Sequence, residues 1–175
     1  MSGSIIIYSS TDGHTKTICE RITNFSNYKN EIKIIPLNEV TKFDLTEFDK
    51  IIIGASIRYG KHSKELYKFI KINKNILEKK YSIFFSVNVV ARKPEKNTPE
   101  TNPYIRKFLK ISQWKPQKIA VFAGKVDYPK YGFFDKYIIK LIMFITKGPT
   151  DVSKSYEFTD WSKVDFFAKE LWQNS

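Results

Sequence analysis

Residues 5–15 read Ile5-Ile6-Ile7-Tyr8-Ser9-Ser10-Thr11-Asp12-Gly13-His14-Thr15, a short apolar run that stops in a hydroxyl-rich turn. From residue 15 to residue 25, Ile18, Ile22 and Phe25 fall on one face of a helix. Strand, turn and helix form the first unit, and its rhythm recurs. Residues 31–36 and 50–54 read as second and third strands, and Leu66, Phe69, Ile70, Asn73, Ile76 and Leu77 then repeat at helical spacing. Residues 81–87 make a fourth strand. Pro103 suits the first turn of a helix bearing Tyr104, Ile105, Phe108 and Leu109, and residues 118–123 make a fifth strand. The last helix follows Asp160, with Val164, Phe167, Ala168 and Leu171 inward. Unbroken runs such as Ile51-Ile52-Ile53 imply burial on both faces, as in a parallel sheet between two helical layers. The fold class is α/β, and the chain reads as one domain over residues 1–175. Two stretches, 88–102 and 124–155, exceed ordinary connections, and long excursions from a compact sheet usually carry function.

The chain has 175 residues, 42% of them hydrophobic, enough for a substantial core. Cys19 is the single cysteine and His14 and His62 are the two histidines, so a disulfide framework is excluded and a metal centre is not expected. Residues 1–10 lack a basic region and a long apolar core, which reads as a strand and not a signal peptide, and places the protein in the cytoplasm. Thirty Lys+Arg against eighteen Asp+Glu give a net charge of +12. Such a surplus attracts nucleic acid, acidic lipid or a carboxylate-bearing substrate without choosing among them, and it is also what compositional bias produces.

The turn at residues 10–15 offers hydroxyls, a flexible glycine and the free N–H groups of a helix start. Two readings are open: a phosphate cradle or an ordinary Ser/Thr/Asp helix cap. No G-x-x-x-x-G-K-S/T and no G-x-G-x-x-G is present, so a lone phosphate monoester suits it better than a triphosphate or a dinucleotide. The turn resembles the flavodoxin phosphate loop S-T-x-G-x-T, with Ser10, Thr11, Gly13 and Thr15 matching. Asp12 departs from a comfortable pattern, because its carboxylate would repel a phosphate unless it points away or caps the helix; contact there falls to its backbone. The resemblance implies a doubly wound, five-stranded parallel sheet of order 2-1-3-4-5 with a long insertion after or within strand 5, and FMN held by residues 10–15, His14 included. Edges for a flavin ring come from loops at the carboxyl ends of neighbouring strands. These are Ala55, Ser56, Ile57, Arg58, Tyr59 and Gly60 after the third strand, and the run Ser86-Val87-Asn88-Val89-Val90-Ala91 after the fourth, of which Ser86, Val87 and Asn88 are expected to touch the cofactor. Tyr59 could stack on the ring, or be a partly buried loop aromatic. Arg58 could stabilise negative charge on the reduced ring.

Longer stretches resemble one family more narrowly. They are IGASIRYG at 53–60, SVNVVARKPE at 86–95, Arg106-Lys107-Phe108-Leu109, Ser112-Gln113-Trp114 and Lys140-Leu141-Ile142-Met143. Over most of the chain these resemble the flavodoxin-like, quinone-dependent protoporphyrinogen oxidases; departures lie mainly in the first helix and second strand. The resemblance implies oxidation of protoporphyrinogen IX in three two-electron steps, through FMN, to a membrane quinone (menaquinone or ubiquinone) in haem synthesis. It also implies a peripheral place on the cytoplasmic face of the bacterial inner membrane. No residue stands out as a general base. Segment 91–110 carries Arg92, Lys93, Lys96, Arg106, Lys107 and Lys110 against Glu95 and Glu100, a surplus that could meet substrate propionates, with Arg92 and Lys93 the first choices. The alternative is a solvated basic face. Segment 133–147 reads FFDKYIIKLIMFITK, apolar on nearly every side and well short of the roughly 20 residues that span a bilayer. Either it lies in a membrane interface, with Ile138, Leu141, Ile142 and Ile145 in lipid or against a quinone, or it is buried on the sheet or in a homo-oligomer contact. The rival functions are a soluble flavodoxin-type electron carrier, usually acidic, and a flavin-free module that binds nucleic acid or an anionic membrane. No RNP or helix-turn-helix signature supports nucleic acid as a partner.

Overall fold

The computed structural model describes residues 3–28 and 31–173; Met1 and Ser2, read above with the first strand, lie outside them. Five strands, β1 (Gly3–Ser9), β2 (Ile32–Pro36), β3 (Phe48–Ser56), β4 (Tyr81–Val87) and β5 (Lys118–Phe122), pair in parallel in the order β2-β1-β3-β4-β5. The register sets Ile5, Ile6 and Ile7 beside Ile51, Ile52 and Ile53, and Ile53 beside Phe84. Because strand side chains alternate, Ile5, Ile7, Ile51, Ile53 and Phe84 fall into one core while Ile6, Ile52, Ile83 and Phe85 fall into another. This is why the isoleucine runs show no polar alternation. Each such side chain contributes roughly 1.5–3 kcal/mol by leaving water.

Helices α1 (His14–Thr23) and α5 (Trp161–Gln173) cover the second core, joined across their outer surface by Arg21 donating to both oxygens of Asp165 at 2.7 Å. Helices α2 (Lys64–Lys79) and α3 (Pro103–Ser112) cover the first. Ser63 caps α2 by accepting from Leu66 N–H, and Asn102 caps α3 by accepting from Tyr104 and Ile105 N–H, with Pro103 in the first turn. Phe84 and Phe108 stack at 3.8 Å beneath Trp114. Gly54 is opposite Phe85, whose ring occupies the space a Cβ would need.

β1 and β3 run beyond the sequence reading, β4 matches it, and β2 and β5 are each one residue shorter; β3 begins at Phe48, which is buried, and ends at Ser56. Between β2 and β3 the chain takes two short 3-10 turns, Leu37–Lys42 and Leu45–Glu47. The excursion after β5 is ordered. It holds an antiparallel pair, β6 (Lys125–Asp127) with β7 (Ser155–Glu157), and between them α4 (Phe133–Ile145). A small cluster of Val126, Tyr128, Tyr131 and Met143 holds these pieces together.

Candidate functional site

The turn at residues 10–15 sits where β1 ends and α1 begins. Gly13 has φ +85°, a left-handed conformation that L side chains rarely adopt, and nothing stands within 4 Å of where its Cβ would be. Ser10 Oγ accepts from Gly13 N–H at 3.0 Å, which curls the turn. The first-turn amides of α1 lack intrahelical partners by geometry and open onto the same space. Thr15 Oγ1 is buried there without a hydrogen-bond partner, one of two such side-chain atoms among the described residues; the other is Trp114 Nε1 in the aromatic core. A buried unsatisfied hydroxyl costs free energy unless a ligand completes it. A phosphate oxygen would do so, and the turn therefore fits the FMN phosphate.

His14 contributes its backbone to this turn while its side chain is engaged elsewhere. Its Nε2 lies 2.6 Å from Thr159 Oγ1, whose hydroxyl donates to Ala123 O at 2.9 Å, so the imidazole donates through Nε2. Burial holds this histidine below its ordinary pKa, opposed by Glu157. Asp12, the awkward carboxylate, is paired with Arg58 at 2.8 Å.

The second loop is built by a tight turn. Arg58 and Lys61 exchange backbone hydrogen bonds of 3.0 and 3.2 Å, and the two residues between them, Tyr59 and Gly60, have φ of 49° and 74°. Two positive φ angles between paired residues match a type I′ hairpin turn, which accepts Gly60 readily and Tyr59 at a cost. Arg58 lies between the rings of Tyr59 and Tyr131, 5.2 and 5.0 Å from their centroids, and also pairs with Asp135 of α4 at 2.9 Å. Tyr59 OH donates to the same Asp135, and these contacts hold that carboxyl below its usual range. One guanidinium thus ties the phosphate turn and the ring loop to the insertion.

The third loop departs from the sequence reading in detail. Ala55 and Ser86 are fully buried and are not among the residues that line the cavity. Ser86 Oγ meets His62 Nε2 at 3.0 Å and accepts from Asn88 Nδ2 at 3.2 Å. Asn88 Oδ1 accepts from Ala91 N–H at 3.0 Å and from Asn102 Nδ2 at 3.2 Å. This buried chain shapes the 88–102 excursion, and residues 87–89 line the cavity. Ile57 N–H donates to Val87 O at 2.9 Å, and Ser56 Oγ to Ser9 O at 3.3 Å.

The resulting cavity holds about 250 Å³ and collects residues 10–15, 56–58 and 87–88 from the expected set. Tyr59 and Gly60 line a neighbouring cavity against α4 instead. Val89, in the run after the fourth strand, lines the larger cavity too; sequence reasoning missed Thr17, and also Gly124, Lys125, Asp127 and Lys130, which the insertion brings to the cleft. Lys130 and Lys125 pair with Asp127 at 3.2 and 3.6 Å, and Ser155 donates to that carboxylate, which lowers its pKa. The available signal was that Gly124 follows the end of β5, where α/β sheets gather ligands.

The two proposed substrate cations are placed differently from one another. Arg92 turns inward, donating to Val89 O at 2.9 Å and Thr146 O at 2.7 Å with its guanidinium over Phe158, so it clamps the end of α4. Lys93 is half-buried beside it. α4 is not packed onto the sheet: Met143 is buried, while Ile138, Leu141 and Ile145 are 45%, 58% and 70% exposed. Ile142 differs from these three, turning toward the small cavity that also holds Arg58 and Tyr59. Among the described residues no helix is long and apolar enough to cross a membrane.

Comparison with known proteins agrees with this geometry. A flavodoxin-domain family model matches residues 5–153. A Leishmania major protein named protoporphyrinogen IX dehydrogenase (quinone) is 42% identical over 169 residues, covering 95% of this chain and 73% of that protein. Its namesake from Escherichia coli strain K12 is 40% identical over 169 residues, covering 96% and 93%. A flavoprotein of Lactobacillus acidophilus, solved with FMN, shares the fold with a TM-score of 0.50 at 15% identity, covering 69% of this chain and 93% of that one. The chain belongs to the flavodoxin-domain oxidoreductases of the protoporphyrinogen IX dehydrogenase (quinone) family.

Proposed function

We propose that this chain oxidises protoporphyrinogen IX to protoporphyrin IX in haem synthesis, using FMN bound in the cleft at residues 10–15 and a membrane quinone, menaquinone or ubiquinone, as acceptor. Six electrons leave the substrate in three two-electron steps. The observation that carries this reading is the buried, unpartnered Thr15 hydroxyl in a turn whose Gly13 is left-handed. It supports a phosphate monoester held without a lysine of the nucleotide-triphosphate kind, and the family of the relatives supplies the substrate class. Bound there, FMN supplies a two-electron redox centre.

The chain's own work is positioning. Ser10, Thr11 and Thr15 offer hydroxyls to the phosphate and the α1 amides offer N–H groups. Arg58 neutralises Asp12, removing the repulsion that carboxylate would exert. Ile57, Val87 and Val89 line the cleft, and Tyr59, 42% exposed, lines the neighbouring cavity against α4. The exposed side chains of α4 support a peripheral contact with the cytoplasmic face of the membrane, where Lys136, Lys140 and Lys147 reach headgroups and Ile138, Leu141 and Ile145 enter the acyl boundary. That face also argues against a soluble electron carrier, which needs none.

Two measurements test the reading. Gly13→Asp puts a side chain and a charge into the cradle, and FMN retention should be lost; unchanged flavin stoichiometry rejects the placement. Purified protein with FMN, protoporphyrinogen IX and a menaquinone analogue, without oxygen, should develop porphyrin fluorescence. No rise above a flavin-only control rejects the activity.

A further inference from the structure

Cavities line the carboxyl edge of the sheet among the described residues. The central one is the cleft at residues 10–15, and a smaller one of about 90 Å³ faces α4. Another, about 870 Å³, lies toward β2 and has no role assigned so far. It exists because the β2–β3 connection uses 3-10 turns where a parallel crossover usually places an α-helix, so the sheet is thinly covered. Leu37 and Phe43 of that connection are only half-buried. They face Phe69 and Ile72 of α2 across the groove, and Ile72 is 70% exposed. Ser10 and Thr11 line both this groove and the central cleft, so the two spaces adjoin.

The groove has a charged rim on one side. Lys68 lines it, and Lys64 and Lys71, four residues before and three after, share that face of α2. Among the described residues none of these three lysines has an ion-pair partner, and Glu65 is the one acidic residue lining the groove. An apolar trough of this size, within the roughly 300–1,000 Å³ of small-molecule sites, edged by cations and opening on a redox cleft, suits a broad apolar ring that carries carboxylates.

We propose that the groove between residues 37–43 and α2 docks the tetrapyrrole, its macrocycle against Phe43, Phe69 and Ile72 and its carboxylates on Lys64 and Lys68. The inference rests on the proposed reaction and locates its donor. It sets the donor on the side of the cleft opposite α4, so that a donor from water and an acceptor from a bilayer approach from different ends.

The test uses full-length, FMN-loaded protein and protoporphyrin IX as the probe, titrated by fluorescence, beside anaerobic turnover kinetics. Lys64→Glu with Lys68→Glu should weaken porphyrin binding and raise KM by roughly tenfold or more, as loss of charge-assisted contacts requires. Ile72→Ser, at an exposed position that folding tolerates, should weaken porphyrin binding and raise KM in the same direction while FMN content stays within about twofold. Lys93→Glu is the competing arm, for docking on the 88–102 excursion. Porphyrin affinity unchanged in the groove variants, or a larger loss in Lys93→Glu, overturns the groove assignment and leaves the reaction standing if the wild type turns over. Groove-dependent porphyrin binding without wild-type turnover keeps the site and removes the reaction.

Discussion

Ile51-Ile52-Ile53 of β3 and Tyr137-Ile138-Ile139-Lys140-Leu141-Ile142 of α4 are both dominated by branched aliphatic side chains, yet the first run is wholly buried and the second leaves Ile138 and Leu141 45% and 58% exposed. A central strand meets helices on both faces, so every side chain finds a partner. α4 meets only the small cluster around Met143 and Tyr128, which is enough for one edge of the helix. Its position is set instead by polar pins: Arg92 on Thr146, Arg58 and Tyr59 on Asp135, and Tyr128 OH donating to Pro149 O at 2.9 Å. The sheet is stabilised by what it hides, whereas the insertion is held at a few points and leaves its apolar side available.

The sharpest way to break this contrast is in the core. Phe84→Ala, which removes a ring stacked on Phe108, should cost about 3–5 kcal/mol in denaturant unfolding. A loss under about 1 kcal/mol would mean the sheet is not the principal stabilising unit.

Next comes His62, buried against Phe84 and Phe108 at the back of the third loop. Burial, with a smaller push from Lys107, lowers its pKa from 6.5 to about 4. Between those values the unfolded chain binds the proton and the native one does not, so stability is full above about pH 6.5 and falls as the solution is acidified toward pH 4. The loss is on the order of 3 kcal/mol. Urea midpoints across that window, compared with His62→Gln, measure it; parallel curves for the two proteins would remove His62 as the cause.

A smaller and more local effect belongs to the pins. Arg92→Ala strips Val89 O and Thr146 O of a donor and should cost about 1–3 kcal/mol. Hydrogen exchange should show faster amides in α4 and unchanged ones in β3, and uniform acceleration would contradict the division into two regions. At the bottom of the scale, Leu141→Asp should shift stability by less than about 0.5 kcal/mol. It should nevertheless abolish cosedimentation with anionic vesicles, and retained vesicle binding would argue against α4 as the membrane contact.

How much of this was readable beforehand depended on how local the cause was. The turn at residues 10–15 was legible because hydroxyls, a glycine and a helix start lie within one short stretch. The strands were legible from their unbroken apolar runs, although β3 starts at Phe48, which is buried on the far side of the polar pair Asp49 and Lys50 and so outside the run of isoleucines. Arg92 read as a first choice for the substrate propionates, with a solvated basic face as the alternative, and only the return of residue 146 to its side gave the guanidinium two carbonyls to hold. Ser86 and Ala55 read as cleft residues because they end strands of the right sheet, but both are fully buried and do not line the cavity. Nothing in the local pattern around Lys125 and Lys130 said that the insertion would fold back to the phosphate turn.

The sequence by itself determined the layered α/β architecture, the strand order implied by its resemblance and the hydroxyl-rich turn at residues 10–15, since periodicity and turn chemistry act between neighbours in the chain. The tertiary structure alone decided which side chains face the cleft, which cation becomes a clamp, and that α4 keeps its apolar side outward. Those outcomes depend on what distant segments bring to the same place, and a side chain's burial is settled by the partners it meets there.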